Sequence, residues 1–534
     1  MKRSFCLRLA LCTALILSAV VSTTVAQAAQ PTASGSRDGY YSVLDFGAKG
    51  DGKTDDTGAF QNAVAKASSR AGYVTVPPVG PGRGYVLTRT IRLPKGVSLI
   101  GSPAGFGNNS WAAFDLPDKN VHGAKIFARP QASEYTGQKK RPLFLLEGGN
   151  TVRGLCILYD RQPWPTDQEF KNPRSPYYYP SFDKAKASFI RDHVKPCGPT
   201  FYLPPAGANW VIEDIICDRY YDFFFQAADG KSVVNRVYLY GYRRGFVIKE
   251  AFDVNRMSSI HLCPNVGPAC PGDVGGGKSY SWIYGVVVSQ PDCVGIQMGR
   301  SDGYSFRDLF FFGVHTGIRF GASAAYPLYD PVTGANCYYD PSSDVLHGFG
   351  AAYKKGGGPW GSISTFSADC CNIGIHFVWP ANNCTCMLTN ACIGTAFDDG
   401  RRFPTQKATG KLDGIPMQAA FVVEPTFSSA NSSGKPTFLC SNAEIVSYSP
   451  TSSFAAASAH AGECNGRAFL IAGDMRAEFS NFTSHWPYDA DQLYAAGDHA
   501  GSFSIRIRGL LQADEPTPDL VINEKGLNWQ GTTH

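Results

Sequence analysis

The feature that most constrains this chain is a short segment that recurs through its middle. With the glycine of Gly245-Phe246-Val247-Ile248 as origin, related segments are Gly295-Ile296-Gln297-Met298, Gly317-Ile318-Arg319-Phe320, Gly374-Ile375-His376-Phe377 and Gly394-Thr395-Ala396-Phe397. Phe223-Phe224-Phe225-Gln226 joins them with Phe in place of Gly. Where no insertion intervenes, the spacing is 22, 22 and 20 residues. A fixed period of this size marks a solenoid, whose units bury their apolar faces only against their neighbours. Eight and six residues before each glycine stand Ile215, Val237, Leu309 and Phe366, and Cys217, Leu239, Phe311, Ala368 and Leu388. Such alternation is that of a strand with one buried face, so each turn supplies at least two strands and a bend. A leucine-rich repeat would need a Leu/Asn consensus that is missing, and a propeller would need units of about 40 residues. The expected fold is therefore all-β: a single-stranded right-handed parallel β-helix.

The stretch from Asp45 to Asp56, DFGAKGDGKTDD, precedes Ala59, Phe60, Ala63, Val64 and Ala67, which recur at helical spacing. Thr54, Asp55 and Asp56 are N-cap candidates, and Gly47, Gly50 and Gly52 suit a tight turn. No GxGxxG or phosphate-loop frame is present. These residues predict a capping helix that covers the open end of the first coil. The run VLDFGAKGDGKTDDTGAFQNAV, followed by GYVTVPP and VSLIG, resembles the N-terminal region of the pectate-lyase-like superfamily, near the sequences grouped with family 28 glycoside hydrolases. That resemblance implies a right-handed parallel β-helix, mostly secreted or phage-borne, that cuts or binds polysaccharide. It does not extend to the polygalacturonase catalytic motifs. Asp398-Asp399 is the only double aspartate after the opening region, no Asn-Thr-Asp precedes it, and no Gly-His-Gly follows. Arg506-Ile507-Arg508 is a loose echo of Arg-Ile-Lys.

Residues 1–28 read as a secretory signal, with Lys2, Arg3 and Arg8 before an apolar run and Ala26-Gln27-Ala28 as a cleavage site. Removing them turns the formal charge from +5 to +2, 46 Lys and Arg against 44 Asp and Glu, which supports neither a nucleic-acid nor a membrane partner. Fourteen cysteines remain of 16, and in an exported chain their even number favours disulfides and buried thiols over zinc. The expected organisation is a linker over 29–39, the cap and first coils over 40–102, the β-helix over 103–511 with insertions near 159–210 and 321–360, and a tail over 512–534. Nothing in the sequence speaks to oligomeric state.

Candidate chemistry falls on the bends and on one strand face. Asp222, Arg243, Arg244, Asp292, His315 and Asp369 lie in the residues just before the repeated glycines. Asp292 and Asp369 are expected two coils apart, roughly 9–10 Å by strand spacing, near the carboxyl separation of an inverting glycosidase. They are the acid/base candidates, with Asp302 and His315 beside them and Arg300 and Arg307 entering the same groove. Gln297, Arg319 and His376 are expected as an outward polar stripe that binds sugar hydroxyls or a carboxylate together with Arg243 and Arg244. Aromatic residues of the insertions, among them Trp164, Tyr177, Tyr178, Tyr179, Phe182, Trp210, Tyr326, Tyr338, Tyr339, Tyr353 and Trp360, would stack on sugar rings. The expected activity is glycoside hydrolysis without a metal or other cofactor. A β-eliminating lyase, which would admit Ca²⁺, is the enzyme alternative, and a carbohydrate-binding or adhesion solenoid is the non-catalytic one.

Overall fold

The computed structural model describes residues 39–102, 123–263, 282–340, 345–349, 359–378, 385–395, 417–424, 437–447, 467–484 and short strands between 494 and 530, apart from isolated positions. The signal segment, Asp398-Asp399 and Tyr353 lie outside the described residues.

Strands stack in parallel, coil upon coil, into three faces of one right-handed winding. On the first face Ile212, Val234, Met257, Phe306, Ile363, Leu388, Cys440, Phe479 and Ile507 stand in register and point inward. On the second face Ile157, Cys217, Leu239, Leu262, Phe311, Ala368, Ile393 and Ile445 do the same. Phe224, Phe246, Ile296, Ile318, Ile375, Phe421 and Phe469 form the third. All are buried. Because every rung repeats the same offset, the core is a bundle of like-on-like ladders at the strand spacing of about 4.8 Å.

The repeated glycines lie on the third face. A Cβ at Gly245, Gly295 or Gly317 would meet the carbonyl oxygen of the next coil's glycine at 2.6 Å, and one at Gly374 would meet that of Ala420 at 2.7 Å. Glycine is therefore required by backbone approach. We expect Gly317→Ala to cost about 1–3 kcal/mol in urea unfolding, because the clash is with backbone and with Ala368 and Phe366, none of which can yield freely. Gly394 breaks the expected pattern: it belongs to Thr385–Thr395 and pairs with Val446. The third-face strand after Gly374 is Ala419–Val423. A two-residue alternation reads the same on every face, so the apparent spacing of 20 joined strands from two different sheets.

Between the first and second faces the chain turns on a single residue. Gly154, Asp214, Arg236, Ser259, Asp308, Thr365, Asn390, Asn442 and Asn481 all occupy this corner with φ between 50° and 72°. Asparagine and aspartate tolerate the left-handed region best. Their side chains also link adjacent coils. Asn442 Nδ2 donates to Asn390 Oδ1 at 2.9 Å, Asn481 Nδ2 donates to Asn442 Oδ1 at 3.0 Å, and Ser259 Oγ donates to Asp308 Oδ2 at 2.9 Å.

At the N-terminal end, helix α1 (Thr57–Ser68) buries Phe60, Ala63, Val64 and Ala67. It packs on the strands of the first coils, as the sequence predicts. The aspartates ahead of it are structural. Asp56 accepts from the backbone N–H groups of Lys49 and Gly50, Asp51 from those of Lys53 and Thr54, and Asp55 from that of Thr57.

The insertions are more ordered than loops. Residues 159–210 form α2 (Asp167–Lys171), started by a Thr166/Glu169 capping box, and α3 (Phe182–His193), which pack with α4 (Trp282–Val288). Phe170 and Phe189 are buried among Tyr177, Tyr179 and Trp282, and Trp164 sits edge-on to Tyr240 and Tyr242. Trp210 is a core residue whose Nε1 donates to Leu146 O. These rings hold the insertion to the winding, and of them Tyr178 is the exposed one. Strands Leu328–Tyr329, Asn336–Asp340 and Val345–His347 make a three-stranded antiparallel sheet over the outer side of the third face, where Leu328 and Cys337 pack on Tyr202, Phe225 and Val247. In the expected tail, strand Asp519–Asn523 pairs antiparallel with Ser504–Gln512 and covers that parallel edge, and strand Gly526–Gln530 pairs with Asp519–Asn523. Among the described residues Cys370, Cys371 and Cys386, of the group read as disulfide candidates, are buried free thiols. They fill core positions as small apolar residues.

Candidate functional site

The polar stripe of the third face is contiguous, with Gln297 in register with Arg319 and Arg319 with His376. It is not open. Each of the three is at most 1% exposed, because the loop around Tyr326 and the antiparallel insertion roof this face. Arg319 Nε donates to His376 Nδ1 at 3.2 Å, so the ring proton resides on Nε2, which donates to Glu424 Oε1 at 2.9 Å. Tyr326 stacks its ring 4.5 Å from the guanidinium, and Gln297 Nε2 donates to Tyr326 O. The neutral imidazole thus bridges a buried cation to a buried carboxylate, which makes this stripe an internal linkage. Glu424 escaped the sequence reading because it follows Ala419–Val423, a strand that lacks the repeat's glycine.

The bends divide in the same way. Arg243 and Arg244 both grip Asp222 from the next coil, with Arg243 Nε at 2.8 Å and Arg244 Nη2 at 2.8 Å. All three are largely or fully buried, so they form an internal triad and not a surface substrate clamp. His315 is fully buried, with Nδ1 2.9 Å from Thr316 Oγ1 and Nε2 3.0 Å from Asn372 Nδ2. Arg300 and Asp302 pair with each other at 2.9 Å, and Arg300 lies over Phe252. Asp302 follows the strand Val294–Ser301 whose other end adjoins Asp292. The two carboxylates are thus roughly 30 Å apart along extended chain and cannot serve one bond. Asp292 is exposed, in the turn between α4 and that strand. Arg506-Ile507-Arg508 lies on the first face, where Arg508 pairs with Glu478 at 3.4 Å. Arg307 precedes the corner residue Asp308 on that face, in register with Ser364.

Asp218 is a buried carboxylate that the sequence did not single out. Burial pushes its carboxyl up to about 6, with the Arg219 charge 3.7 Å away opposing the shift. A folded value above the unfolded one means that this group's contribution is full below about pH 4 and lost as pH rises through 6. We therefore expect Asp218→Asn to stabilise the protein by about 2–3 kcal/mol at pH 7 and by nothing at pH 4, measured by equilibrium urea unfolding.

One open concave site lies on the corner between the first and second faces. A groove of about 570 Å³ runs across five coils and is lined by Asp308, Phe310, Thr365, Ser367, Asn390, Cys392, Asn442, Glu444, Asn481 and Thr483. Four steps of strand spacing make it roughly 19 Å long. Ser367, Cys392 and Glu444 stand in register on its second-face wall. Asp369, half-buried, follows Ser367 by two residues and so shares its outer side, beyond the groove's lining. Asp369 accepts a hydrogen bond from the Cys370 thiol. Burial pushes the Cys392 thiol up to about 11, and the charges of Glu444 and then Asp369 add to the shift. Two coils and two residues separate their Cα atoms, roughly 12 Å. Of the residues proposed from the sequence, Asp369 lies two positions beyond the lining residue Ser367, and Asp302 and His315 are not part of the lining. Among the described residues no group of three or more His, Cys, Asp or Glu side chains could hold a metal ion.

These features define a parallel β-helix with an acidic, amide-lined groove along its corner. Residues 40–128 match the family model described as rhamnogalacturonase A/epimerase, pectate lyase-like, over the region whose motifs carried the resemblance. No curated protein is similar to the chain in sequence. Among solved structures it is similar to a hyperthermoactive exopolygalacturonase from Thermotoga maritima, with 9% identity, 93% of this chain and 96% of that one covered, and a TM-score of 0.45. An endo-xylogalacturonan hydrolase from Aspergillus tubingensis follows, with 10% identity, 87% and 95% covered, and a TM-score of 0.41. A tailspike protein mutant of Escherichia coli bacteriophage HK620 in complex with a pentasaccharide has 9% identity, 88% and 65% covered, and a TM-score of 0.47.

Proposed function

We propose that this chain is an exported polysaccharide-active β-helix protein and that it hydrolyses glycosidic bonds in the corner groove. The observation that supports this is an open groove long enough for several sugar rings, with Glu444 in its wall and Asp369 two coils away on the same outer side, two residues beyond Ser367. Side chains reaching inward from Cα atoms roughly 12 Å apart can bring the carboxyls within the ~6.5–9.5 Å that lets a water stand between acid and base. Glu444 is the general acid, protonating the leaving glycosidic oxygen. Asp369, held by the Cys370 thiol, is the base that takes a proton from the attacking water as the new C–O bond forms and the old one breaks. Incubation with a polysaccharide panel tests this directly. New reducing ends without unsaturated-uronate absorbance are expected. That absorbance would mean elimination, and capture of a polysaccharide without any cleavage would mean a binding solenoid.

A further inference from the structure

We infer that the corner groove takes a neutral polysaccharide laid along the winding axis and rejects polyuronates; this rests on the polysaccharide reading above but names a substrate class for it. Among the described residues, the side chains lining the groove include two carboxylates, Asp308 and Glu444, and no lysine or arginine. Arg307 stands next to Asp308 on the first face at one end, outside the lining, and Arg508, in register with Ser480 and paired with Glu478 at 3.4 Å, stands outside it at the other. A uronate polymer would bring one carboxylate per ring into this space, within a Debye length of Asp308, Glu444 and Asp369, with little cation to offset the repulsion.

The remaining walls suit hydroxyl groups. The Asn390–Asn442–Asn481 ladder is locked by its own hydrogen bonds, yet every amide nitrogen carries a second N–H and every amide oxygen a second lone pair. These groups repeat at the coil spacing of about 4.8 Å, close to one per saccharide unit. They are pre-ordered, so binding loses little side-chain freedom. The second-face wall continues beyond the groove as an aromatic row: Phe310 meets His261 edge-on at 4.8 Å, and His261 meets Tyr238 at 5.4 Å. All three rings are half-buried, which leaves apolar surface for the C–H faces of sugars. The chain therefore runs from the Tyr238 end, over the aromatic row, onto the amide ladder and past Glu444.

Calorimetric titration of the Asp369→Asn protein, which keeps ligands intact, with cellohexaose, mannohexaose, xylohexaose and hexagalacturonate tests this. At least one neutral hexaose is expected to bind at least tenfold more tightly than hexagalacturonate, with the gap narrowing as salt rises. Asn442→Ala and Phe310→Ala, both at the surface of the winding, are each expected to weaken that binding fivefold or more. Hexagalacturonate binding as tightly as the best neutral ligand overturns the inference. So does the absence of any binding, or neutral binding that ignores both substitutions. Groove-dependent neutral binding by a wild-type protein that cleaves nothing would remove the hydrolase and leave this inference standing. Groove-dependent cleavage of a uronate polymer would do the reverse.

Discussion

Asp222→Asn is expected to destabilise the protein by about 3–5 kcal/mol, because it strips the counter-charge from two buried guanidiniums. Asp222 is 1% exposed and is gripped by Arg243 and Arg244 on the same carboxylate. Arg244 reaches further, to Tyr329 O at 3.0 Å, so the triad also ties the antiparallel insertion to the winding. Burial opposes ionisation of the carboxyl, but Arg243 and then Arg244 outweigh it and hold the group well below the usual carboxylate range. A depressed folded value means that the stabilisation is present above the unfolded value near 4 and fades as pH falls below it. The gap between wild type and variant should therefore be widest near neutral pH and shrink below about pH 4. Urea unfolding across that range measures it. A loss under 1 kcal/mol at pH 7 would mean that the arginines find other partners.

Asp369→Asn and Glu444→Gln are each expected to lower hydrolytic turnover by about 10²–10⁴-fold, the usual contribution of a positioned acid or base. Neither should move the unfolding midpoint appreciably, since both side chains retain solvent access. The two differ in an informative way. Losing the acid should hurt poor leaving groups most, so an activated aryl glycoside should recover much of the Glu444→Gln loss, whereas the Asp369→Asn loss should persist because water still needs its base. Asp292→Asn, on the exposed turn after α4, supplies the contrast. Full activity there together with loss at Asp369 and Glu444 assigns the pair, while loss at Asp292 and not at Glu444 moves the partner of Asp369 to the other side.

Burial explains why some candidates read from the sequence changed role. Gln297, Arg319 and His376 were correctly adjacent, since one offset on successive coils must stack. Whether that row meets water depends on an insertion that contacts it only after folding. Arg243 and Arg244 likewise lie on a bend, and bends are commonly exposed, yet the segment around Tyr329 closes over this one. The groove was invisible for a different reason. Asn390, Asn442 and Asn481 are separated by 52 and 39 residues, with insertions of unequal length between them. No period in the sequence aligns them.

The amino-acid sequence alone determined the winding, its buried ladders, the glycine column of the third face and the helix over its first coil. Each of these follows from local alternation or from a backbone contact between like positions, and both are written within a few dozen residues. The tertiary structure alone decided which strands follow one another across the insertions, which polar rows are roofed, and where an open surface remains for a ligand. Those outcomes depend on loop closure between distant segments and on the water each then excludes, and neither leaves a mark at any single position.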